Sequence, residues 1–576
     1  MRKSLGTSLF RNFRFHTNRA TDRAIHCATD REIKDQETTD QETTAVKGSV
    51  QDQAIALAQQ ANQALAAADW SIALAGYRAA LRLDPAIPGV YINLAAALKG
   101  LGKMAAARQA CAQALRLDPH SAIGVRNWLA LLDWADQTQA IQACHHLLDQ
   151  IPESAALYVA AAHRLNNRDQ FPELMDWVRS RPLPDTWRNL PSFDRAAIGY
   201  WQGLKHYFDG DLATAETWLQ QAIADEVTYQ PPHIQLSLIL AEQRRLTEAL
   251  AVLDAACARW PDHGTLRHNR ALCLLTLGRW AEGFLENEWQ WRSGQMTKQD
   301  LPGQEWDGTP IPDRTILIWA DQGFGDSLQW ARYLQWVADR CQTVILLCPK
   351  ALVRVMRSAP GAGYVTDGVC ETLHFNTHLP LSSLPRLTQT TVDRVPAPIP
   401  YLFPTATEPL PLPKPVSKPD QRRVGIVWAS GFRSGDRLEA VHRQKSSSLP
   451  ELAAALNLPG VQLYSLQIDR SDTDVAHLAQ FGIIDLAPQI KDFADTAAYL
   501  AQLDLLITVD TAICHLAGAM GKPVWTLLCF AADWRWLLDR PDTPWYPTMR
   551  LFRQTEPGDW SEPLQQVRSS LLAGQF

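Results

Sequence analysis

The sequence predicts an α-solenoid of helical-hairpin repeats followed by two Rossmann-like α/β units, on three observations. The string LRLDP occurs at 81–85 and again at 115–119, a spacing of 34 residues, which is the length of one stacked helix pair. After residue 313, short apolar runs alternate with amphipathic stretches, the order expected of βαβ units and a parallel sheet. Two aspartate-bearing turns in that half lie where an apolar run passes into a helical one, and such sheets bind ligands at the C-terminal ends of their strands.

The chain has 576 residues, enough for roughly three to four domains. Net charge is −6, with 46% hydrophobic and 20% charged residues; these values exclude a mostly disordered chain and provide no basic field for nucleic acid. None of the ten cysteines forms a CxxC pair, so we expect reduced, packed thiols and a cytoplasmic setting. No run reaches the 18 to 20 apolar residues of a membrane helix.

Residues 1–25 carry Arg2, Lys3, Arg11, Arg14, Arg19 and Arg23 against Asp22. Such a start suits a disordered leader or an over-extended start, with an organelle transit peptide as the alternative. DQETTDQETT (35–44) repeats in tandem and has nothing to bury, so residues 1–50 are assigned to a disordered leader.

From 51 to 295 the repeat register runs. Ala73 and Ala80, then Ala107 and Ala114, fall where two helices approach closely; Tyr77, Tyr91 and Leu94 fill the layer between them. Pro85 and Pro119 end the second helices. The register returns with Gly203, Gly210, Ala215 and Ala222, then Ala249, Ala256 and Pro261, then Ala271 and Gly278. Near 155–195 it degrades, with Pro172, Pro182, Pro184 and Pro191 interrupting, so about six repeats are expected. These residues resemble tetratricopeptide repeats, whose concave face suits a protein or peptide partner; a purely scaffolding role is the alternative.

In the second half, TILIW (315–319) and TVILLCP (343–349) are strand candidates of a first α/β unit over 313–405. A proline-rich linker follows over 406–420, and a second unit over 421–576 has strands at VGIVWA (424–429), VQLYSLQ (461–467), LLITV (505–509) and VWTLL (524–528). Two such units create a cleft.

The turn Gln322-Gly323-Phe324-Gly325-Asp326 lacks the third glycine of a dinucleotide fingerprint, since Leu328 stands there, and lacks the Gly-Lys-Ser/Thr of a P-loop. Asp326 either caps a helix beginning at Ser327 or acts as a general base in the cleft. Asp510 and Thr511 lie at a strand-to-helix junction, where free amides favour a diphosphate. His515 returns to the same helix face one turn on. An N-cap at Asp510 and a satisfied core histidine are the structural alternatives.

At these residues residues 313–576 resemble glycosyltransferases of the two-domain GT-B fold, particularly the heptosyltransferase-like family 9. Gly325-Asp326 matches that family's Gly-Asp turn, and Asp510, Thr511 and His515 match its Asp-Thr/Ser-x-x-x-His motif. EWQWR (288–292), DQGFGDSLQWARYL (321–334), DFADTAAYLAQLD (492–504) and DWRWLL (533–538) resemble a group of tetratricopeptide proteins with a glycosyltransferase-like C-terminal half. In layout the chain is also similar to protein O-GlcNAc transferases, without their motifs.

The resemblance implies metal-independent, inverting transfer from a nucleotide-diphosphate sugar to an acceptor hydroxyl, with no further cofactor. Asp326 would be the base, and the donor would be held by Gly325, Asp510, Thr511, Ala512 and His515. Lys445, with Arg443 in reserve, would be the family's basic residue, and Gln467 would face the nucleoside. Gln322 and Gly323 are further candidate site residues, while Asp533 and Trp534 would either line the sugar pocket or pack between C-terminal helices. The repeats would recruit the acceptor or a partner protein. The alternative is a non-catalytic interaction scaffold with a degenerate GT-B unit.

Overall fold

The computed structural model describes residues 44–132, 137–165, 171–294, 296–368, 373–396, 398–405, 410–413, 421–431 and 444–575. The leader up to residue 43, most of the 406–420 linker and Arg443 lie outside them. The described residues divide into two compact units: one takes those from 44 to 206 and Ala213–Pro232, the other Tyr207–Leu212 and those from His233 on.

Seven successive helix pairs fill the described residues from Thr44 to Asn287: α1 (Thr44–Ala66) and α2 (Trp70–Leu83), α3 (Pro88–Gly100) and α4 (Met104–Leu117), α5 (Ala122–Leu129) and α6 (Gln137–Gln150), α7 (Ala155–Leu165) and α8 (Phe171–Ser180), α9 (Ser192–Phe208) and α10 (Leu212–Asp225), α11 (Gln230–Glu242) and α12 (Leu246–Arg259), α13 (Gly264–Thr276) and α14 (Trp280–Asn287). Three expectations are corrected. Helix α1 opens at Thr44, so residues 44–50 are helical despite their polar composition. The expected six repeats are seven pairs. The irregular stretch shrinks to 181–191, because Pro172 falls in the first turn of α8, where its missing N–H costs nothing. Only Pro182, Pro184 and Pro191 lie between helices, flanking a 3₁₀ turn at Asp185–Asn189.

The small residues do what their spacing requires. Ala73, Ala80, Ala107, Ala114, Ala215, Ala222 and Ala249 are all fully buried. Gly203 has Leu219 Cγ 2.8 Å from where a Cβ would stand, so α9 and α10 pack at that distance only without a side chain. Gly210 turns the chain between them at φ +84°, a conformation that glycine adopts without steric cost. Tyr77 is buried and donates its hydroxyl to Asn62 Oδ1 at 2.7 Å.

The second half contains two wholly parallel sheets. The first orders β1 (Gln304–Glu305), β5 (Thr377–Pro380), β2 (Ile311–Trp319), β3 (Cys341–Leu347) and β4 (Tyr364–Thr366) in that sequence. It therefore starts before the expected boundary of 313, because β1 is a two-residue exposed edge strand and residues 312–314 of β2 are exposed. The second orders β11 (Met549–Arg553), β10 (Val524–Leu528), β9 (Leu505–Val509), β6 (Arg422–Val427), β7 (Val461–Ser465) and β8 (Ile484–Asp485). Read from β8, that is the 3-2-1-4-5-6 order of a nucleotide-binding sheet. Strands β9 and β10 are buried at every residue, the continuous apolar pattern of a sheet covered on both faces.

Strand order reverses between β2 and β5 in the first sheet and between β6 and β9 in the second. Open α/β sheets bind ligands in the crevices outside those points. The Asp321–Gly325 turn leaves β2, and Asp510 leaves β9, so both aspartate-bearing turns sit at a reversal.

Candidate functional site

The two turns meet. A Cβ on Gly325 would lie 2.8 Å from His515 Cδ2 and 3.5 Å from Ala512 Cα, so the helix Phe324–Trp330 rests directly on the helix Ala512–Ala519. Glycine is what permits that approach. Sequence spacing alone had no means of joining residues 325 and 515.

Asp326 is buried at the third position of its helix, not at the N-cap. The helix starts at Phe324 with Gly323 as N-cap, and Asp326 Oδ2 reaches back to accept the Gly323 N–H at 2.8 Å. The expected cap at the start of a helix from Ser327 is corrected accordingly: the carboxylate caps from inside the first turn. Its other oxygen, Oδ1, accepts from Arg535 Nη2. Arg535 also donates to Gln329 Oε1 at 2.7 Å and to Asp533 Oδ1 at 2.7 Å, and lies over the Trp534 ring at 4.5 Å. Burial works against the Arg535 charge, but Asp533 and Asp326 outweigh it and hold the guanidinium above its ordinary range.

On the second sheet, Thr511 is the N-cap of Ala512–Ala519, and Asp510 precedes it. Asp510 pairs with the ammonium of Lys445, which is buried. Burial presses the Asp510 carboxyl upward, yet Lys445 wins and holds it below the usual carboxylate range. His515 is buried, stacked on Trp536 at 5.3 Å, and shares a hydrogen bond of 3.0 Å with the Tyr546 hydroxyl through Nδ1. Burial lowers its pKa to about 4, so it is neutral at pH 7.

Lys445, the candidate basic residue, lies against Asp510, a pairing that the sequence did not indicate. Gln467 is buried; its Oε1 accepts the Ala429 N–H at 3.0 Å and its Nε2 donates to Asp469 O at 3.2 Å, so its amide shapes the wall beside β6. Gln322 turns toward the end of the repeats and donates to Gln290 Oε1 at 3.1 Å. Asp533 caps the 3₁₀ turn Trp534–Trp536. Trp534 packs on Trp330 at 6.1 Å, Phe284 at 5.6 Å and Trp280 at 6.4 Å. The packing alternative for Trp534 is corrected: its ring neighbours come from the last repeat and from the helix Phe324–Trp330, as well as from Trp545, because the 533–538 tract crosses to them.

Arg535, Tyr546 and Trp536 were not singled out from sequence. The DWRW string marked the first and last of these, but nothing in it shows that the arginine turns toward residue 326. Asp510, Cys514 and His515 also bring one ligand-type atom each within 4.8 Å of one another. Lys445 already balances Asp510, and burial with the Asp510 charge holds the Cys514 thiol protonated, a poor start for a metal ligand.

A fold of stacked helix pairs joined to two nucleotide-type sheets, with opposed aspartate turns, defines a repeat protein with a GT-B glycosyltransferase-like domain. Comparison with known proteins agrees. The family model described as "Glycosyltransferase family 9 (heptosyltransferase)" matches residues 447–533, and tetratricopeptide repeat models match 88–121 and 234–286. The chain thus carries tetratricopeptide repeats and a C-terminal glycosyltransferase family 9 domain. It is 25% identical over 400 residues to Protein FlbA of Caulobacter vibrioides, a match covering 63% of this chain and 64% of that one; the chain spans just under two thirds of that relative's length. The E. coli heptosyltransferase WaaC with ADP is 10% identical, covering 45% of this chain and 99% of its own, at a TM-score of 0.29. YrrB, a TPR protein with an unusual peptide-binding site, is 15% identical, covering 38% and 91% at a TM-score of 0.21.

Among the described residues, no helix is long and apolar enough to cross a membrane. The described cysteines are free, and all but Cys341 are buried.

Proposed function

We propose that the protein transfers a sugar from a nucleotide-diphosphate sugar to an acceptor hydroxyl, inverting the anomeric centre without a metal. The observation that carries this reading is the apposition of Gly325 and His515, which brings the turns of two strand-order reversals to one place. The donor diphosphate would lie at the N-terminus of Ala512–Ala519, where unsatisfied amides and the helix dipole favour an anion. Lys445 would then leave Asp510 for the phosphate and stabilise charge developing on the leaving group. Neutral His515 could donate a hydrogen bond there, though not a charge.

The family resemblance points to Asp326 for the acceptor proton. As the chain stands, both its oxygens face donors, so this role requires Arg535 to move aside. Gln290, from the 3₁₀ segment after α14, reaches the first sheet's crevice through Gln322. That contact favours an acceptor, a protein or peptide, recruited by the repeats in the cytoplasm.

A second reading has a specific observation behind it. Arg535 occupies one oxygen of Asp326 and lies over the Trp534 ring, as it would in an inactive unit retained for interaction. Thermal-shift measurement of the full chain against ADP, GDP, UDP and their sugars, without metal, separates the two. A ligand at 100 times its Kd adds about 2.7 kcal/mol of apparent stability. A shift with one nucleotide, lost in Lys445→Ala, supports transfer; no shift with any supports the scaffold.

A further inference from the structure

We infer that Tyr546 is the positioning residue for His515: its hydroxyl donates a hydrogen bond to Nδ1, so that the one N–H of the imidazole stands on Nε2 and meets the donor diphosphate. The buried guanidinium of Arg332 fixes the Tyr546 ring. The inference rests on the glycosyl-transfer reading and adds to it two residues that the resemblance does not name.

Tyr546 lies in the loop before β11 and is fully buried. Its ring rests against the helix Ala512–Ala519 at Gly518, where a Cβ would stand 2.5 Å from Tyr546 Cγ. Only glycine leaves room for that approach. Gly518 is three residues after His515 and shares its helix face, so the hydroxyl reaches His515 Nδ1, at 3.0 Å. Trp536 stacks on the imidazole at 5.3 Å and an interplanar angle of 23°. With a face covered and Nδ1 held, the ring keeps one orientation. In it, Nε2 lies 3.5 Å from where a Cβ on Gly325 would stand, toward the meeting of the two turns. Nε2 has no hydrogen-bond partner among the described residues. His515 retains 4% exposure and Tyr546 none, so the tyrosine acts on a ligand through the histidine.

Arg332 is buried, and among the described residues no carboxylate pairs with it. It donates to Gln329 O at 3.1 Å, to the Tyr401 hydroxyl at 3.3 Å and to Trp545 O at 3.0 Å. Its guanidinium lies 4.9 Å from the Tyr401 ring centroid, 5.2 Å from that of Trp545 and 5.1 Å from that of Tyr546. A buried cation without a counter-ion is costly, and these ring faces offset the cost. Tyr546 is thereby held by the cation as well as by the helix.

Burial raises the Tyr546 hydroxyl well above its ordinary range, so it keeps a proton to donate. His515 is neutral at pH 7 and carries a single ring N–H. Ionised phosphate oxygens accept hydrogen bonds and donate none, so a ring turned to the diphosphate must hold its proton on Nε2 and accept at Nδ1. Which ring nitrogen is protonated is set by the bond that the other makes, and Tyr546 makes that bond.

The test measures Kd for ADP, GDP and UDP, without metal, by calorimetry on full-length wild type, Tyr546→Phe, His515→Ala and the double variant. For the nucleotide that wild type binds, Tyr546→Phe keeps the ring and loses the donor, and should raise Kd about 10-fold, the order of one lost hydrogen bond to a charged group. In the His515→Ala background the same change should leave Kd unaltered, a coupling that a merely structural tyrosine does not produce. Unchanged Kd in Tyr546→Phe, or an equal rise in both backgrounds, overturns the inference, while nucleotide binding by wild type leaves the transfer reading standing. Should a variant lose its melting transition, nitrogen NMR of histidine-labelled wild type at saturating nucleotide decides instead, with the His515 signal identified by its absence in His515→Gln. A proton on Nε2 is expected there, and a proton on Nδ1 overturns the inference. A wild type that binds none of the three nucleotides removes both.

Discussion

Asp326 and Arg535 form a buried ion pair that ties the first helix of one sheet to the loop after β10 of the other. The side chains are each 8% exposed, so solvent screens the pair little. Breaking a buried pair by removing one partner typically costs about 3–5 kcal/mol, because the other charge is stranded.

Arg535→Met strands both Asp326 and Asp533 and should lower stability by that order, read as a fall in Tm. Asp326→Asn should cost less, since Arg535 keeps Asp533. The ion pair nonetheless argues for a measurable loss in Asp326→Asn. Equal Tm in all three proteins would mean that the pair contributes nothing.

Gly325→Ala tests the contact between the helices. The new methyl would stand 2.8 Å from the His515 ring, closer than real contacts allow, and overpacking of this kind costs about 1–3 kcal/mol. The variant should melt lower and lose its nucleotide response. A nucleotide-induced shift as large as wild type's would show that the helices meet elsewhere when ligand binds.

His515 and His268 each have a pKa lowered to about 4 by burial. In the unfolded chain they bind protons near pH 6.5, whereas in the folded chain they resist until about 4. The unfolded state therefore binds more protons through that window, and stability falls as pH drops from 6.5 to 4, by about 3 kcal/mol per histidine. Asp321, whose carboxyl burial raises to about 7, works in the opposite direction over the same window and offsets part of that fall; Asp510, whose pKa is lowered, acts only at more acid pH. Tm followed from pH 7 to 4 should decline in wild type and decline less in His515→Gln. Parallel curves would contradict a buried neutral histidine.

Chelation should leave Tm and nucleotide binding unchanged, since the Lys445 ammonium supplies the positive charge on Asp510. A drop in Tm with EDTA, restored by Zn²⁺, would instead assign a metal to Asp510, Cys514 and His515.

The helix pairs were legible because small residues recur every 34 positions and cannot be elsewhere than between helices. Strands β9 and β10 were legible as unbroken apolar runs at 505–509 and 524–528. Strands β4, β5 and β11 were not: three or four residues at 364–366 and 377–380, and a strand at 549–553 with arginines at two of its five positions, carry too little pattern. Lys445 was named only because a resemblance said where to look, and its pairing with Asp510, 65 residues away, was not legible. The contact of Arg535 with Asp326 was not legible either, because the two stand 209 residues apart in the chain, a distance that no local spacing encodes.

The most direct measurement of the central claim is nucleoside diphosphate release by the full chain from UDP-, GDP- and ADP-sugars, with EDTA present. The account predicts release from one of these donors at a rate unaffected by the chelator and lost in Lys445→Ala. No release from any donor, together with no thermal shift by any nucleotide, would contradict it and leave a repeat scaffold bearing an inactive glycosyltransferase-like domain.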